Sequence, residues 1–573
     1  MLMEGGFTAI AFAVSFAFPR LAGGFFRKIE RAFGSLARRQ GLAVLSVGLA
    51  TLLLRIAILP VSPIPLPFVP DDFSFQLAGD TFAHGRLANP APEMWTHFES
   101  IHITMQPTYV SMYFPAQGLA LAAGKVLFGN PWFAVLILSA LMCSGICWML
   151  QAWLPPSWAL AGGVIAIIRL GLFSYWVNTY SGGGLITALG GALVLGSLPR
   201  LTRNPHAHYG FPMGIGIALL VLTRPYEGML LCLPVAFVLG RWALRGANRP
   251  ATPVLLRRAA LPLLIVVAAI SWLGYYDYRA FGKPTTLPYT VDRATYAMAP
   301  YYVWQQPRPE PVYHHEVLRR FYKENELDAW KLIHKPSGFL PQSLIKLARG
   351  ILFFAGLVLV PPLLMLRRVL LDRRIRFLVV CVGVLILGLA IEIFMIPHYL
   401  APFTCAFYAI GLQAMRHLRL WHPGDAPVGQ TFVRLTVTAV LLLAVIRLFS
   451  GPLHFKIPEW PASDWSGLWY GPEHFGSERA AIEAHQQQLP GKQLVIVRYW
   501  PGHNPLDEWV YNAADIDTSK VIWAREMNPA ADRELINHYS DRQVWLVEPD
   551  AIPAKVNPYW APWMSAPPTT STR

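Results

Sequence analysis

"PFVPDDFSFQLAGDTFAHGRL", residues 67–87, decides how the chain is read. It follows the first convincing membrane-spanning segment, and two adjacent carboxylates, Asp71 and Asp72, open it after Pro70. The stretch predicts a short amphipathic helix with Phe75, Leu77, Ala78 and Phe82 on its apolar side and Gly85 as its stop. A pair of charges at a membrane surface needs a reason. Asp71 reads as a helix N-cap, or as a catalytic base working on the outer face of the membrane.

The surrounding composition is that of a polytopic membrane protein. Of 573 residues, 54% are hydrophobic and 14% are charged, where a soluble domain carries roughly 25% charged residues. The formal net charge is +15. Its Lys and Arg residues cluster in short runs between apolar segments, which is the positive-inside pattern and argues against a nucleic-acid partner. The five cysteines lie within apolar segments at no metal-ligand or disulfide-framework spacing.

Upstream of the acidic pair, residues 5–18 form a short apolar run, read as an extra helix, an uncleaved signal-like segment or extra sequence from an upstream start. Residues 20–39 are basic and predicted cytoplasmic, so residues 41–61 span outward and the acidic pair is extracytoplasmic. Downstream, residues 112–129 read as an interfacial or re-entrant helix. Spans are expected near 131–152, 157–177, 183–199, 210–223, 226–240, 259–276, 349–366, 376–396, 398–415 and 431–449. The basic loops fall on one side by alternation, which supports about eleven spans.

The tail changes character at 451. "KQLVIVRYW" (492–500), "SKVIWARE" (519–526) and "RQVWLVEP" (542–549) read as strands. Residues 477–489 and 528–539 read as helices, the second with an Asn start and Pro at its first position. That alternation predicts a small α/β domain with a largely parallel sheet. The expected architecture is therefore mainly α and polytopic, with a small extracytoplasmic α/β domain. It comprises an N-terminal stretch 1–40, a membrane domain 41–450 with outer loops 62–130 and 277–346, and the domain 451–573, whose last ten or so residues are expected to be disordered.

Four groups of candidate residues converge on the outer side. Asp71 and Asp72 are the first. The second is the rest of their loop, with His97, Glu99, His102, Gln106, Tyr109, Tyr113 and Gln117. His, Glu and His so close have the chemistry to bind a divalent metal ion; they read equally as hydrogen-bonding or stacking residues, since their spacing matches no ligand motif. The third group is cationic: Arg224, three residues before Glu227, and Arg169, deeper in an apolar run. An intramembrane arginine faces a cavity or a partner. The fourth ends a span, with Glu392, His398 and Tyr399. Together they suit a reaction on an amphiphilic substrate with a phosphate head group. A carboxylate takes a proton from an attacking hydroxyl, cations stabilise a departing phosphate, and aromatic rings stack on sugar faces.

The acidic pair after the first span, the amphipathic outer loop, the span count and the outer C-terminal domain resemble the GT-C glycosyltransferases. The resemblance is to the protein O-mannosyltransferase and aminoarabinose transferase group, including family-39-like bacterial enzymes, and covers roughly residues 41–450. In that family an Asp-Glu pair opens the first outer loop, and its Asp is the proposed base. The resemblance implies that role for Asp71, with Asp72 standing where the family has Glu. Family members often carry an Arg-Tyr beside prolines near the lipid phosphate. The comparable stretch is His398-Tyr399 with Pro397 and Pro402, so Arg224 or Arg169 would supply the missing charge.

The resemblance implies sugar transfer from a polyprenyl-phosphate donor to a lipid, glycan or protein acceptor, with inversion at the anomeric carbon. It implies a bacterial-type inner membrane with the active site on the periplasmic side, and requires no nucleotide cofactor. Two other readings fit the sequence: a transporter or flippase of a lipid-linked glycan, and a non-catalytic membrane scaffold.

Overall fold

A computed structural model describes residues 2–203, 207–245, 249–450 and 476–560. The expected disorder at the C-terminal end lies outside the described residues.

Six helices are long and apolar enough to cross a membrane: Gln40–Ala57, Trp132–Trp153, Gly184–Arg203, Pro225–Arg245, Thr252–Phe281 and Val428–Phe449. Leu154, extended because Pro155 follows it, ends the second of these. The helices occupy different depths. Gly184–Arg203 is largely enclosed by its neighbours. Thr252–Phe281 exposes Leu261, Leu263, Leu264, Val267 and Ile270, a display of apolar side chains that suits lipid rather than water.

The remaining expected spans fall on shorter or broken helices. The segment expected at 349–366 is not one straight helix. Phe339–Ala355 ends at Gly356 and the chain resumes as Leu357–Leu371, bent by 87°. Counting that pair as one span gives seven. Pro156–Leu172, Gly210–Val221 and Arg376–Ile391 are shorter apolar helices, as is Leu2–Ala17 at the N-terminal end. The segment expected at 398–415 starts as a 3-10 turn, Pro397–Phe403, before the α-helix Thr404–Arg419.

Arg169 explains how the broken span is held. It sits in a π-helical turn, Ile167–Leu172. Its Nη2 donates to the carbonyls of Leu352 and Phe353, both at 3.0 Å, at the end of the Phe339–Ala355 helix. Its Nη1 pairs with Glu4 at 2.8 Å, and the other Glu4 oxygen accepts the Leu357 amide at 2.7 Å. A cation at a helix C-terminus and a carboxylate at the next N–H satisfy the polar groups that the bend frees. The expected partner of this intramembrane arginine is therefore Glu4, from the N-terminal apolar helix.

The tail forms a four-stranded sheet in the order β5-β4-β6-β7: β4 Lys492–Val497, β5 Val521–Arg525, β6 Arg542–Glu548 and β7 Lys555–Pro558. β4 pairs parallel with β5 and with β6, and β7 adds antiparallel to β6. The central strand β4 is a run of Leu, Val and Ile buried from Gln493 to Val497, and the edge strand β5 is buried along its length, while β6 on the other side of β4 is only partly covered. Asn528 caps the Pro529–His538 helix, accepting from the amides of Ala530 and Ala531.

Candidate active site

The helix opened by the acidic pair runs Pro70–Ala83. Its N-cap is Val69, with Pro70 in the first turn, and no side chain caps it. Asp71 is thus inside the helix, and the N-cap reading of Asp71 does not hold. The stop at Gly85 is a Schellman motif: Gly85, at φ 71°, donates to Phe82, and Arg86 donates to Thr81. The helix does not lie at a surface with one wet side, since most of its residues are buried.

Two structures enclose it. One is a small sheet of β1 Asn89–Pro90, β2 Ile103–Thr104 and β3 Thr108–Ser111, in the order β1-β3-β2. Ser74 Oγ joins helix to hairpin, bonding the His102 carbonyl at 2.6 Å and Ser111 Oγ at 2.7 Å. His102 adopts φ 64°, a backbone conformation uncommon outside glycine. That turn sends its ring back to the helix.

The second is the C-terminal sheet domain. Phe73 stacks on Tyr511 with centroids 4.6 Å apart, and the Arg479 guanidinium lies 5.0 Å from the Phe73 ring. Asp80 accepts the Ala514 amide at 2.8 Å. Arg525 donates to the Glu99 carbonyl and to Glu508, both at 2.6 Å.

These contacts leave Asp71 at the centre of a polar group. Its Oδ1 accepts from His102 Nδ1 and from the Tyr113 hydroxyl, each at 2.5 Å. Phe75, one helical turn on, stacks on Tyr113 at 4.2 Å and fixes that hydroxyl over the carboxylate. Burial would raise the Asp71 pKa, but the His102 charge, the two hydrogen bonds and the Arg224 charge outweigh it and hold Asp71 below the usual carboxylate value. His102 moves the other way: burial opposes its charge, and Asp71 overcomes that and raises it. The pair is an ion pair. Asp71 and His102 keep 16% and 13% of their side-chain surface, which opens them to a cleft.

Asp72 is sealed. Its Oδ1 accepts the Tyr180 amide at 3.0 Å, and the Phe68 amide and Ser181 side chain also act on the carboxylate by hydrogen bonding. Burial pushes its carboxyl up to about 7, with the neighbouring Asp71 charge adding to the rise. Gln117 donates to the carbonyl of the same Tyr180 at 3.0 Å, so Asp72 and Gln117 hold the two peptide groups that flank Tyr180.

The far wall of the cleft is cationic and aromatic. Arg224 pairs with Glu227 at 2.9 Å, donates from Nε to the Gly182 carbonyl, and lies 4.1 Å from the Tyr399 ring. His398 packs behind Gly182, where any Cβ would meet its ring at 2.8 Å. The His398 Nδ1 is engaged by the Tyr175 hydroxyl at 2.7 Å. Tyr289, on the Pro288–Thr295 helix, bridges the walls: its ring meets Tyr113 edge-on at 5.6 Å, and the Arg224 and Asp71 charges both act on it.

The other expected site residues are placed elsewhere. His97 Nδ1 donates to the Arg525 carbonyl at 3.0 Å. Glu99 accepts from Tyr296 at 2.9 Å and from His314 at 2.8 Å. Tyr109 donates to the Asn512 carbonyl at 2.8 Å. These residues join the outer loop to its neighbours. Gln106 is exposed at the turn between β2 and β3. His97, Glu99 and His102 do not converge into one ligand set, because each is committed to a different partner. Among the described residues no group of three or more His, Cys, Asp or Glu is arranged to hold a metal ion. Arg169 is with Glu4, away from the cleft.

Sequence reasoning missed Tyr289, Asp292, Arg293 and Glu326. They come from the long outer loop, where no motif marks them; the local signal is an Asp-Arg pair between tyrosines in "PYTVDRATY". An apolar cavity of about 600 Å³ runs between the Phe339–Ala355, Arg376–Ile391 and Thr404–Arg419 helices. Leu344, Ile351, Leu389, Phe407 and Leu400 line it, the last adjacent in sequence to Tyr399.

No family profile and no curated protein matches the chain. Solved structures do. ArnT from Cupriavidus metallidurans, in a structure bound to undecaprenyl phosphate, superimposes with a TM-score of 0.50 at 11% identity, over 88% of this chain and 92% of that one. The oligosaccharyltransferase of Archaeoglobus fulgidus in its apo form gives a TM-score of 0.47 at 11% identity, over 89% of this chain and 69% of its own. The likeness to ArnT runs through nearly the whole length of both chains, and the chain has a GT-C-like fold.

Proposed function

We propose that the protein is an integral-membrane glycosyltransferase. It moves a sugar from a polyprenyl-phosphate donor to an acceptor at the outer face of a bacterial inner membrane, where the C-terminal domain also lies. The observation that carries this reading is Asp71: a carboxylate held below the usual carboxylate range and partly exposed, bonded by His102 and Tyr113, with the Arg224 charge acting on it.

Both Asp71 hydrogen bonds use Oδ1. Oδ2 takes the proton from the acceptor hydroxyl as its oxygen bonds to the anomeric carbon. The bond from that carbon to the phosphate oxygen breaks on the opposite side, so the configuration inverts. The electron pair leaves with the polyprenyl phosphate, whose charge meets Arg224. Tyr113, Tyr289 and Tyr399 offer faces and hydroxyls to the sugar. The apolar cavity beside Tyr399 takes the start of the isoprenoid chain.

The test is incubation of purified protein with a panel of polyprenyl-phosphate sugars and extracted envelope acceptors, read by mass spectrometry. A glycosylated acceptor that disappears in a folded Asp71→Asn variant supports the reading. Full activity in that variant removes Asp71 as the base, and no product from any donor removes the transferase.

A further inference from the structure

The Gly23–Arg38 helix lies between two apolar helices, Leu2–Ala17 before it and the span Gln40–Ala57 after it, with Arg39 joining it to the span. Those flanks pin it at a boundary of the bilayer. Gln40–Ala57 leads on toward the Asp71 helix, so this boundary is the opposite one from the cleft.

One edge of the helix is packed. Gly34 and Ala37 are buried, and a Cβ on Gly34 would sit 3.6 Å from the Ser157 hydroxyl. Glu30, on the same edge, pairs with Arg434 at 3.0 Å and with Arg419 at 3.1 Å. Positions 30, 34 and 37 repeat at helical spacing, so these contacts fix how the helix is turned about its axis. Two other edges are left free. Phe25, Ile29 and Ala32 share one, and Phe25 and Ile29 are 62% and 48% exposed. Arg27, Arg31 and Arg38 share the next, with Lys28 between the two, and all four are exposed.

The cations of this segment are spare. Glu30 is the one acid in residues 20–39, and it is committed to Arg419 and Arg434. Among the described residues no carboxylate pairs with Arg20, Arg27, Lys28, Arg31, Arg38 or Arg39.

The turn ahead of the helix adds a hollow. A cavity of about 420 Å³ is lined by Phe18, Pro19, Arg20, Leu21, Ala426 and Pro427. Its walls are apolar apart from Arg20, and Phe18 and Leu21 are exposed. The Arg27 guanidinium folds back over Gly23, 3.6 Å from where a Cβ would stand, toward the same turn. A soluble acidic partner would answer the cations and leave the apolar edge wet. Hydrocarbon would answer the apolar edge and leave the cations unpaired. A lipid with a negative headgroup answers both.

We propose that the Gly23–Arg38 helix and the hollow at its start bind anionic phospholipid. The phosphodiester lies against Arg20, Arg27, Lys28 and Arg31, and the acyl chains run along Phe18, Leu21, Phe25 and Ile29. This surface is separate from the donor site and does not depend on the transferase reading.

The experiment uses the full-length protein in detergent micelles. Phosphatidylglycerol, phosphatidylcholine or glycerol 3-phosphate is added, and bound lipid is counted by native mass spectrometry. Phosphatidylglycerol with a photoreactive acyl chain then maps the site by peptide sequencing of the cross-linked protein. Phosphatidylglycerol is expected to bind about tenfold or more tightly than phosphatidylcholine, to resist competition by glycerol 3-phosphate, and to cross-link within residues 18–38. Arg27→Gln, Lys28→Gln and Arg31→Gln together should weaken it about 100-fold at low salt, about fivefold for each cation removed. Thermal unfolding checks that the triple variant folds. Equal binding of the two lipids, wild-type affinity in the triple variant, or cross-links confined to other parts of the chain overturns the proposal. Glycerol 3-phosphate competing as strongly as the lipid makes this a site for a free phosphate ester and overturns it too. If the triple variant does not fold, the lipid preference and the cross-link map of the wild-type protein decide.

Discussion

Asp71 and Asp72 are adjacent in the chain, yet their carboxyl groups are driven in opposite directions. The first is held below the usual carboxylate range by His102, Tyr113 and Arg224, and the second is pushed up to about 7 by burial. Neighbouring acids whose environments separate their ionisation are a frequent arrangement at reacting centres.

The two acids should therefore fail differently. Asp71→Asn keeps the shape and removes the base, so transfer should fall by about 10²–10⁴-fold while the protein still folds. Asp72→Asn can still accept the Tyr180 amide, and should retain more activity than Asp71→Asn. Product formation by mass spectrometry, with thermal unfolding as the folding control, separates the two.

Asp72 also sets a slope of stability against pH. Its folded pKa lies above the ordinary 3.8, so the folded state binds a proton more tightly than the unfolded one. Its contribution therefore favours folding as pH falls from about 7 toward 4, and opposes folding above that window. Asp72→Asn should flatten the dependence of the unfolding temperature on pH in that window. A slope identical to wild type would mean Asp72 is not the sealed group described.

Arg224 should act through the donor. Arg224→Met removes the charge facing the departing phosphate and strands Glu227, which it pairs at 2.9 Å. Arg224→Lys keeps a charge but loses the planar stacking on Tyr399. Transfer should drop about 100–1,000-fold in the first, the range for removing one stabilising contact to developing charge, and less in the second. Initial rates against donor concentration measure both.

Arg525 is predicted to hold the C-terminal domain on the outer loop. Its replacement by Ala leaves Glu508, itself buried, without its cation. Breaking a buried pair from one side costs about 3–5 kcal/mol. Limited proteolysis should then release the tail domain while the membrane helices remain intact.

How much of this was legible in the sequence differs by element. The acidic pair and its loop could be found because charges beside apolar runs stand out. The strands and helices of the tail could be placed because β-branched runs alternate with capped helical stretches; β7, with Pro558 at its end, lacked that signature. The Arg169–Glu4 pair was not legible, since nothing local links residues 165 apart. Nor was the His102–Asp71 contact, which depends on a left-handed residue in a hairpin. Tyr289 was hidden because its place in the cleft comes only from what packs against it. The length of an apolar run also did not foretell the 87° break between Phe339–Ala355 and Leu357–Leu371.

The clamp between the Pro70–Ala83 helix and the tail domain has a consequence for biosynthesis. Asp80 and the Ala514 amide it binds are 434 residues apart, so the helix carrying the acidic pair emerges long before its cover is synthesised. Closing such a distant contact is slow and comes late in folding. The acidic pair would thus stay uncovered while the membrane helices insert, and be enclosed only when the sheet domain that carries Ala514 docks.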